Sequence, residues 1–402
     1  MNRVVDHRPP PAATDAPAPG RRQFIRLVGG GAVLAAGGAL AGCSAAMPAA
    51  AIQPWTAAAG QTEVRRFMLA HALLAPNPHN QQPWIADLRE PGRIHLVCDG
   101  ERLLPETDPH GRQILIGCGA FVELAVIAAA QRRLAVTIEW FPGGAPAAEA
   151  LPKGTRVATL VLGEAGSAQP DALFAQITRR HTRKTAYAVG KPLPGDLTRG
   201  WTATAAAFGL RSGLVTDEAS MAPIRRITRE AYEIEAVTPR TWLESARLMR
   251  IGPDAIATHR DGISLNSPMV RTLYTVGLFD PMEVPQRGSS SLQRVMDRWV
   301  PFETCSGYLW LASSGNDRPA QVASGRAYAR AHLQATAAGA DMHPLSQALQ
   351  EFAEMRSLRE AVHRAVRLDP ATTTLQMLAR VGFATEPTGP SPRRELGTLL
   401  RT

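Results

Sequence analysis

The residues best suited to chemistry in this chain lie in one short loop. Ala75-Pro76-Asn77-Pro78-His79-Asn80-Gln81-Gln82-Pro83-Trp84 follows the apolar run Phe67–Leu74 and carries three prolines, two asparagines and two glutamines before its tryptophan. Proline fixes φ and removes an amide donor, so the loop is rigid and presents its amides at set positions. Each amide offers a donor and an acceptor together. That suits the edge of a heterocycle with alternating C=O and N–H groups. The competing reading is an ordinary helix-to-strand loop with Trp84 in the core. Other chemistries find no motif: the sequence has no Gly-x-Ser-x-Gly, no phosphate-binding glycine loop outside its first 43 residues, no His-Glu-x-x-His and no His-x-His. Cys98, Cys118 and Cys305 show neither CxxC nor metal-ligand spacing, so no metal is expected. Cys118 sits in an apolar helical run and reads as a small core residue, while a disulfide stays open without an identified pair.

The elements that position this loop repeat themselves. Residues 108–130 open with Asp108-Pro109, pass a small patch at Gly117 and Gly119, and continue as an Ala-rich helix. Residues 316–339 open with Asp317-Arg318-Pro319, pass Ser324-Gly325, and continue the same way. Asp near Pro is a capping signal with a rigid first turn, and the small residues let backbones approach closely. A β-type run lies upstream of each, Arg93–Cys98 and Tyr308–Ser313, and the Val-rich run Arg156–Leu162 closes the first part. The pattern predicts two related α+β halves, 61–170 and 171–402, with both long helices buried at their junction. The competing reading is that Ala-rich helices resemble one another by composition. The stretch about 255–295, rich in Pro and Gly, reads either as a lid or as a peripheral connection.

Residues 1–43 read as an address. Gly20-Arg21-Arg22-Gln23-Phe24-Ile25-Arg26 precedes the apolar stretch Leu27–Ala41, too short for the roughly 30 Å hydrocarbon core of a bilayer. The segment resembles a twin-arginine export signal, which engages the twin-arginine machinery. Leu40-Ala41-Gly42-Cys43 resembles a lipoprotein box, in which the Cys43 thiol takes the lipid; otherwise Cys43 is incidental. The expectation is a body on the periplasmic side, anchored to a membrane through Cys43. Residues 44–60, rich in Ala and Pro, read as a flexible tether.

Composition sets the outer bounds. The 402 residues are 45% hydrophobic and 20% charged, which excludes a disordered, collagen-like or disulfide-framework chain. The net charge of +9 is spread over the whole length and gives no reason to expect nucleic acid. Nearly all the positive charge is Arg, since Lys153, Lys184 and Lys191 are the only lysines, so an Arg pair alone is weak evidence of a site.

Taken in order, four motifs resemble the nitroreductase family. They are the APxxxNxQPW pattern of residues 75–84, Arg180-His181-Thr182-Arg183-Lys184, Met342-His343-Pro344-Leu345-Ser346-Gln347, and Ser391-Pro392-Arg393-Arg394-Glu395 beyond Arg380-Val381-Gly382-Phe383. The resemblance covers about residues 60–400. With the doubled body and the leader it narrows to the Acg-type FMN-binding branch. It implies a nitroreductase-like α+β fold whose two halves form an intramolecular pseudo-dimer with one surviving FMN site. By that resemblance Arg180, Thr182, Lys184, Arg393 and Arg394 hold the FMN phosphate, with Arg183 pointing away. Asn77 and Asn80 belong to the ring-edge loop, Asn80 as the foremost amide, and a backbone N–H of Ser346 or Gln347 lies near the flavin N5. The family's loop often carries Glu-Gly where this chain has Ser346-Gln347, and Lys184 stands where Arg is commoner. The implied activity is hydride transfer through FMN to a nitro, quinone or similar small-molecule acceptor. The alternative is a protein that binds or sequesters FMN with little or no turnover.

Overall fold

In the computed structural model, which describes residues 46–299 and 301–402, the chain is folded from its first described residues. The leader and Cys43 lie outside the described residues. The expected tether is not one: Ala49–Ile52 (α1) and Pro54–Ala57 (α2) are helical, and Ala51, Trp55 and Ala58 are buried. Trp55 Nε1 donates to the Ser391 carbonyl at 2.8 Å, and the Arg393 amide donates to the Ala51 carbonyl at 2.8 Å. The composition that reads as a linker contains good helix formers and one tryptophan, and burying that tryptophan outweighs the linker propensity.

The first half follows with α3 (Val64–Ala72), β1 (Trp84–Asp87), β2 (Arg93–Cys98), α4 (Arg112–Gln131), β3 (Leu134–Trp140) and β4 (Arg156–Ala165). The second contains α5 (Gly195–Ala207) and β5 (Arg211–Val215), then an insertion of α6 (Glu218–Val237), α7 (Pro239–Arg247), β6 (Met249–Ile251), α8 (Gly252–His259), β7 (Ile263–Leu265), α9 (Pro268–Thr275) and α10 (Ser290–Trp299). It resumes with β8 (Gly307–Ser313), α11 (Arg318–Ala337), β9 (Asp341–Pro344), α12 (Arg356–Ala365) and β10 (Thr374–Gly382), and the chain ends in β11 (Leu400–Arg401). This is the expected α+β class.

The two main sheets repeat one topology. Strand order is β1-β2-β4-β3 in the first and β5-β8-β10-β9 in the second, every one of these neighbours antiparallel, with a long helix between the second and third strands in sequence. One expected boundary fails. The last residues leave the second half and add β11 parallel to β1, pairing Ala86 with Leu400 and Asp87 with Arg401. A bare edge strand is a liability, and this crossing covers it.

The long helices α4 and α11 cross at glycines. A Cβ on Gly119 would collide with the Val322 carbonyl oxygen, and one on Gly325 would collide with the Ile116 carbonyl oxygen. Arg112, Ile116 and Gly119 stand at the same places along α4 as Arg318, Val322 and Gly325 along α11. The contact is therefore isologous, as at a two-fold interface. Polar groups fix its register. Glu123 of α4 is fully buried and accepts from Arg326 at 2.6 Å and Arg330 at 2.5 Å, both from α11. Asp108 caps α4 through the amides of Gln113 and Ile114, and Asp317 caps α11 through that of Ala320. α4 is apolar and long enough to cross a membrane, yet most of it is buried inside this fold. Cys98, Cys118 and Cys305 are buried free thiols.

Because the crossing admits no side chain, Gly325→Ala should lower stability by about 1–3 kcal/mol or more, the usual cost of overpacking. Gly143→Ala, where a Cβ meets nothing, should leave the melting temperature unchanged. Parallel thermal melts of the two variants check this.

Candidate functional site

A single cavity of about 550 Å³ collects the motif residues from both halves, within the range of small-molecule and cofactor sites. The proline-rich loop supplies one wall. His79, Asn80 and Gln82 all have positive φ, at 47°, 51° and 51°, so three non-glycine residues in this short run occupy the sparse left-handed region. The surroundings hold them there. Asn77 Oδ1 accepts the Gln82 amide at 2.7 Å, and Gln82 Nε2 donates to the Arg260 carbonyl at 2.9 Å. Gly117 of α4 lets the loop approach, since a Cβ there would lie 3.2 Å from the Asn77 Cβ.

At one end is a buried cationic cluster that holds no carboxylate among the described residues. Arg180 and Arg393 both donate to the Leu74 carbonyl, at 2.8 and 3.0 Å, and Arg393 also donates to the Ala75 carbonyl. Both lie near the face of Trp55, their guanidinium carbons 5.8 and 5.1 Å from its ring centroid. The Nε of each has no hydrogen-bond partner among the described residues. Burial pulls the Arg180 pKa down to about 10, and burial helped by the Arg180 charge pulls that of Arg393 well below the ordinary arginine value. His181 packs edge-on against Trp55, and burial followed by the neighbouring Arg180 charge holds it at about 4. An uncompensated buried charge is costly, and an anion in the adjoining cavity would compensate this one.

Farther along the wall, Lys184 is open to the cavity yet enclosed by protein. That enclosure pulls its ammonium below the ordinary lysine value, and Glu235 opposes the shift. Glu235 of α6 accepts from Gln350 Nε2 at 2.7 Å, and His79 Nε2 lies 3.9 Å from it. Burial pushes the Glu235 carboxyl up to about 7 against the Gln350 hydrogen bond, and Glu244 adds to the rise. Burial, then the Lys184 charge, holds His79 at about 4. Several other cavity groups lack partners among the described residues: Gln113 Nε2, Thr185 Oγ1, Ser264 Oγ, Tyr328 OH and Gln350 Oε1. Their number and mix of donors and acceptors suit a polar ligand with a heterocyclic edge.

The motif residues divide into three groups. Asn77, Asn80, Thr182, Lys184, Ser346, Gln347 and Arg393 line the cavity. Arg180 does not; it sits one layer behind, against Leu74, because its side chain is drawn to that carbonyl and to Trp55. Arg394 also departs from expectation: its amide donates to Gln82 Oε1 at 2.8 Å and its guanidinium to the Gln82 and Thr398 carbonyls, which braces the loop from outside. Asn80 lines the cavity but not as a free ring-edge amide. Its Oδ1 accepts from Arg393 at 2.7 Å and its Nδ2 donates to the Pro392 carbonyl at 3.0 Å, so both ends are taken by the C-terminal segment. Arg183 is turned away, paired with Asp341 at 2.6 Å and donating to Thr388. Of the stretch read as a lid, only residues 262–267 and Val270 reach the cavity. Glu235 and Tyr232 are not legible in sequence, for they lie on a helix without a motif, and Tyr328 lies in the repeated long helix without any signal of its own. His79 stands inside the proline-rich loop, and its positive φ is the feature that sequence does not give.

No family model matches the chain. It is similar to the Mycobacterium tuberculosis protein named "Putative NAD(P)H nitroreductase Rv3131", 29% identical over 349 residues, or 84% of this chain and 91% of that protein. A shorter match is to the same organism's "Putative NAD(P)H nitroreductase acg", 36% identical over 81 residues, 20% of this chain and 24% of that protein. Among solved structures, the FMN-dependent nitroreductase NfnB from Mycobacterium smegmatis in complex with NADPH matches 56% of this chain and 96% of its own, at 16% identity and a TM-score of 0.36. A nitroreductase with bound FMN from Bacteroides fragilis matches 56% and 95%, at 9% identity and a TM-score of 0.34.

The Glu235 carboxyl gives a pH-dependent prediction. Its folded pKa of about 7 lies above the ordinary value of 4.5, so burial of the charged form destabilises the fold increasingly as pH rises from about 4.5 to about 7. Below that window the penalty is absent. Glu235→Gln should therefore gain stability relative to the native chain between pH 5 and about 7.5, by up to a few kcal/mol at about 1.4 kcal/mol per pKa unit. Urea titrations of both proteins at the two pH values, without added ligand, measure it; a pH-independent difference would contradict the buried-acid assignment.

Proposed function

We propose that this chain is an exported FMN-binding oxidoreductase of the nitroreductase family, built as a one-chain pseudo-dimer. On this reading it passes hydride through FMN to a nitro, quinone or similar acceptor. The observation that carries it is the buried cluster of Arg180 and Arg393 without a carboxylate, opening on a cavity that Lys184 also lines. A phosphate dianion is the charge this end of the site lacks. The similarity to proteins named as nitroreductases agrees with that chemistry. We also infer that residues 1–43 are a twin-arginine leader and that Cys43 carries the lipid, supported by Arg21-Arg22, Phe24 and Leu40-Ala41-Gly42-Cys43.

Within this reading Arg393 and Lys184 hold the phosphate, with Thr182 and the unpartnered Thr185 hydroxyl beside them. Arg180 strengthens the positive field from behind Arg393. Asn80 keeps the Arg393 guanidinium in place. Gln113, Ser264, Tyr328 and Gln350 offer the directional donors and acceptors that a flavin ring and its ribityl chain require. FMN, when bound, supplies the hydride chemistry; the protein supplies position and electrostatics. Glu235, near half-protonated at neutral pH, can hold or release a proton at the cavity wall, and Gln350 and His79 fix where. A second reading, FMN held with little or no turnover, is favoured by one feature: residues 262–267 and Met47 help to wall the cavity, which restricts access for an acceptor.

Titration of apo-protein with FMN tests the phosphate end. Lys184→Ala should cost roughly 2–5 kcal/mol of affinity, the range for removing one partner of a buried charged pair. Lys184→Arg should restore most of it, and Arg183→Ala should change little. Equal losses for Lys184→Ala and Arg183→Ala would misplace the phosphate. Anaerobic addition of NADPH to the loaded protein then separates the readings: bleaching supports turnover, and a persistent yellow spectrum supports the binding protein.

A further inference from the structure

The described residues expose six large apolar side chains, and five of them fall in one stretch: Met269, Tyr274, Val276, Leu278 and Met282. Met269 and Val276 are each 59% exposed. The stretch does not expose them by being loose. Phe279 and Val284 pack against the core of the second half, and Trp242 Nε1 donates to the Pro281 carbonyl at 2.9 Å. Gly277, with φ of 70°, turns the chain after α9, and the amides of Leu278 and Phe279 both return to the Leu273 carbonyl. Across residues 268–282 the charged side chains are Arg271 and Asp280 alone. A fixed, nearly uncharged surface with several large apolar groups marks a contact site rather than ordinary solvent surface.

What it contacts follows from where the described chain starts. Asn266 Nδ2 donates to the Ala46 carbonyl at 2.7 Å, one residue before the Ser267 that caps α9. Met47 and Val270 line the same cavity. Cys43 is three residues before Ala46, a reach of at most about 11 Å along an extended chain. α9 itself is about 12 Å long. A lipid on Cys43 would therefore hold the start of α9, from which the apolar stretch runs on, within reach of the bilayer surface, where amphipathic segments bury their apolar face about 5–10 Å into the headgroup and acyl boundary.

We propose that residues 268–282 are a membrane-docking face that seats in the lipid surface beside the Cys43 anchor. The face rests on the proposed lipidation of Cys43 and is independent of FMN. It turns the cavity wall formed by residues 262–270 toward the bilayer, so a molecule dissolved in the membrane meets the site without crossing bulk water.

The test uses full-length protein in vesicles of phosphatidylethanolamine and phosphatidylglycerol, with lipid at Cys43 verified by mass spectrometry. An environment-sensitive dye is placed on Val276→Cys and, as a control, on Val189→Cys, the sixth exposed apolar position. A lipid-borne quencher should reduce the Val276 dye emission at least about twofold and leave the Val189 dye nearly unchanged, as expected for a group at the interface. In the Cys43→Ala background, which has no anchor, Met269→Ser with Val276→Ser and Leu278→Ser should lower the vesicle-bound fraction at least about fivefold, since apolar area drives such binding. Lipid present at Cys43 with an unquenched Val276 dye overturns the docking face while the anchor stands. No lipid at Cys43 overturns the anchor and the placement that depends on it. A Val276 dye shielded in concentrated protein without vesicles assigns the face to a second copy of the chain and overturns the membrane.

Discussion

Two guanidinium groups on one carbonyl oxygen hold this structure's site together. Arg180 comes from the segment after the first half and Arg393 from near the C-terminus, and both converge on Leu74 at the end of the first helix region. Trp55, near the start of the described chain, carries both on its face. Four distant stretches of sequence are thus fixed by one arrangement of like charges. Like charges enclosed together in protein repel more strongly than the same charges in water. Among the described residues neither guanidinium is paired with a carboxylate. The expected tether folds down, the C-terminal tail crosses back to β1, and Asn80 spends both ends of its amide on this segment. The first and the last of these bear directly on the pair, through Trp55 and through the Asn80 side chain, while the tail goes on to cover the edge of β1.

The scaffold around the cluster is doubled, but the site is not. α4 and α11 meet through matched residues, and each opens with a fully buried arginine. Arg112 reaches across to the Leu349 and Gln376 carbonyls of the second half, and Arg318 reaches back to those of His110, Ala147 and Ala150. What breaks the symmetry is the material outside the repeat. The proline-rich loop precedes β1 but has no counterpart before β5, and the insertion between β5 and β8 brings Tyr232 and Glu235 to one side alone. The proposed single FMN site follows from that asymmetry.

How much of this is readable from sequence depends on the range of the signal. The paired helices, their Asp caps and the strand at 93–98 are legible, because capping, periodicity and small patches are local. The repeat is legible for the same reason. The proline-rich loop stands out in sequence and does wall the cavity, but its amides serve a different end from the one their types suggest. Asn80 and Asn77 look free in sequence and are engaged in space. Residues 44–60 mislead because their composition, read without weighing Trp55, suggests a linker. Arg180 and Arg394 carry the right charge, but only the fold shows which arginine faces the cavity and which stands behind it. Glu235 leaves no trace, since a glutamate on an amphipathic helix becomes unusual only when the fold buries it beside Gln350 and Glu244.

The central claim is that one asymmetric site, built around an unneutralised arginine pair, survives in a doubled fold. The flavin content of protein purified after native export measures this most directly. Absorbance after release of the cofactor, set against chain concentration from amino-acid analysis, gives the ratio. About one FMN per chain is expected, as where only one of two symmetry-related positions keeps its loop and its cations. A ratio near two, or protein that neither retains nor takes up FMN, would contradict it.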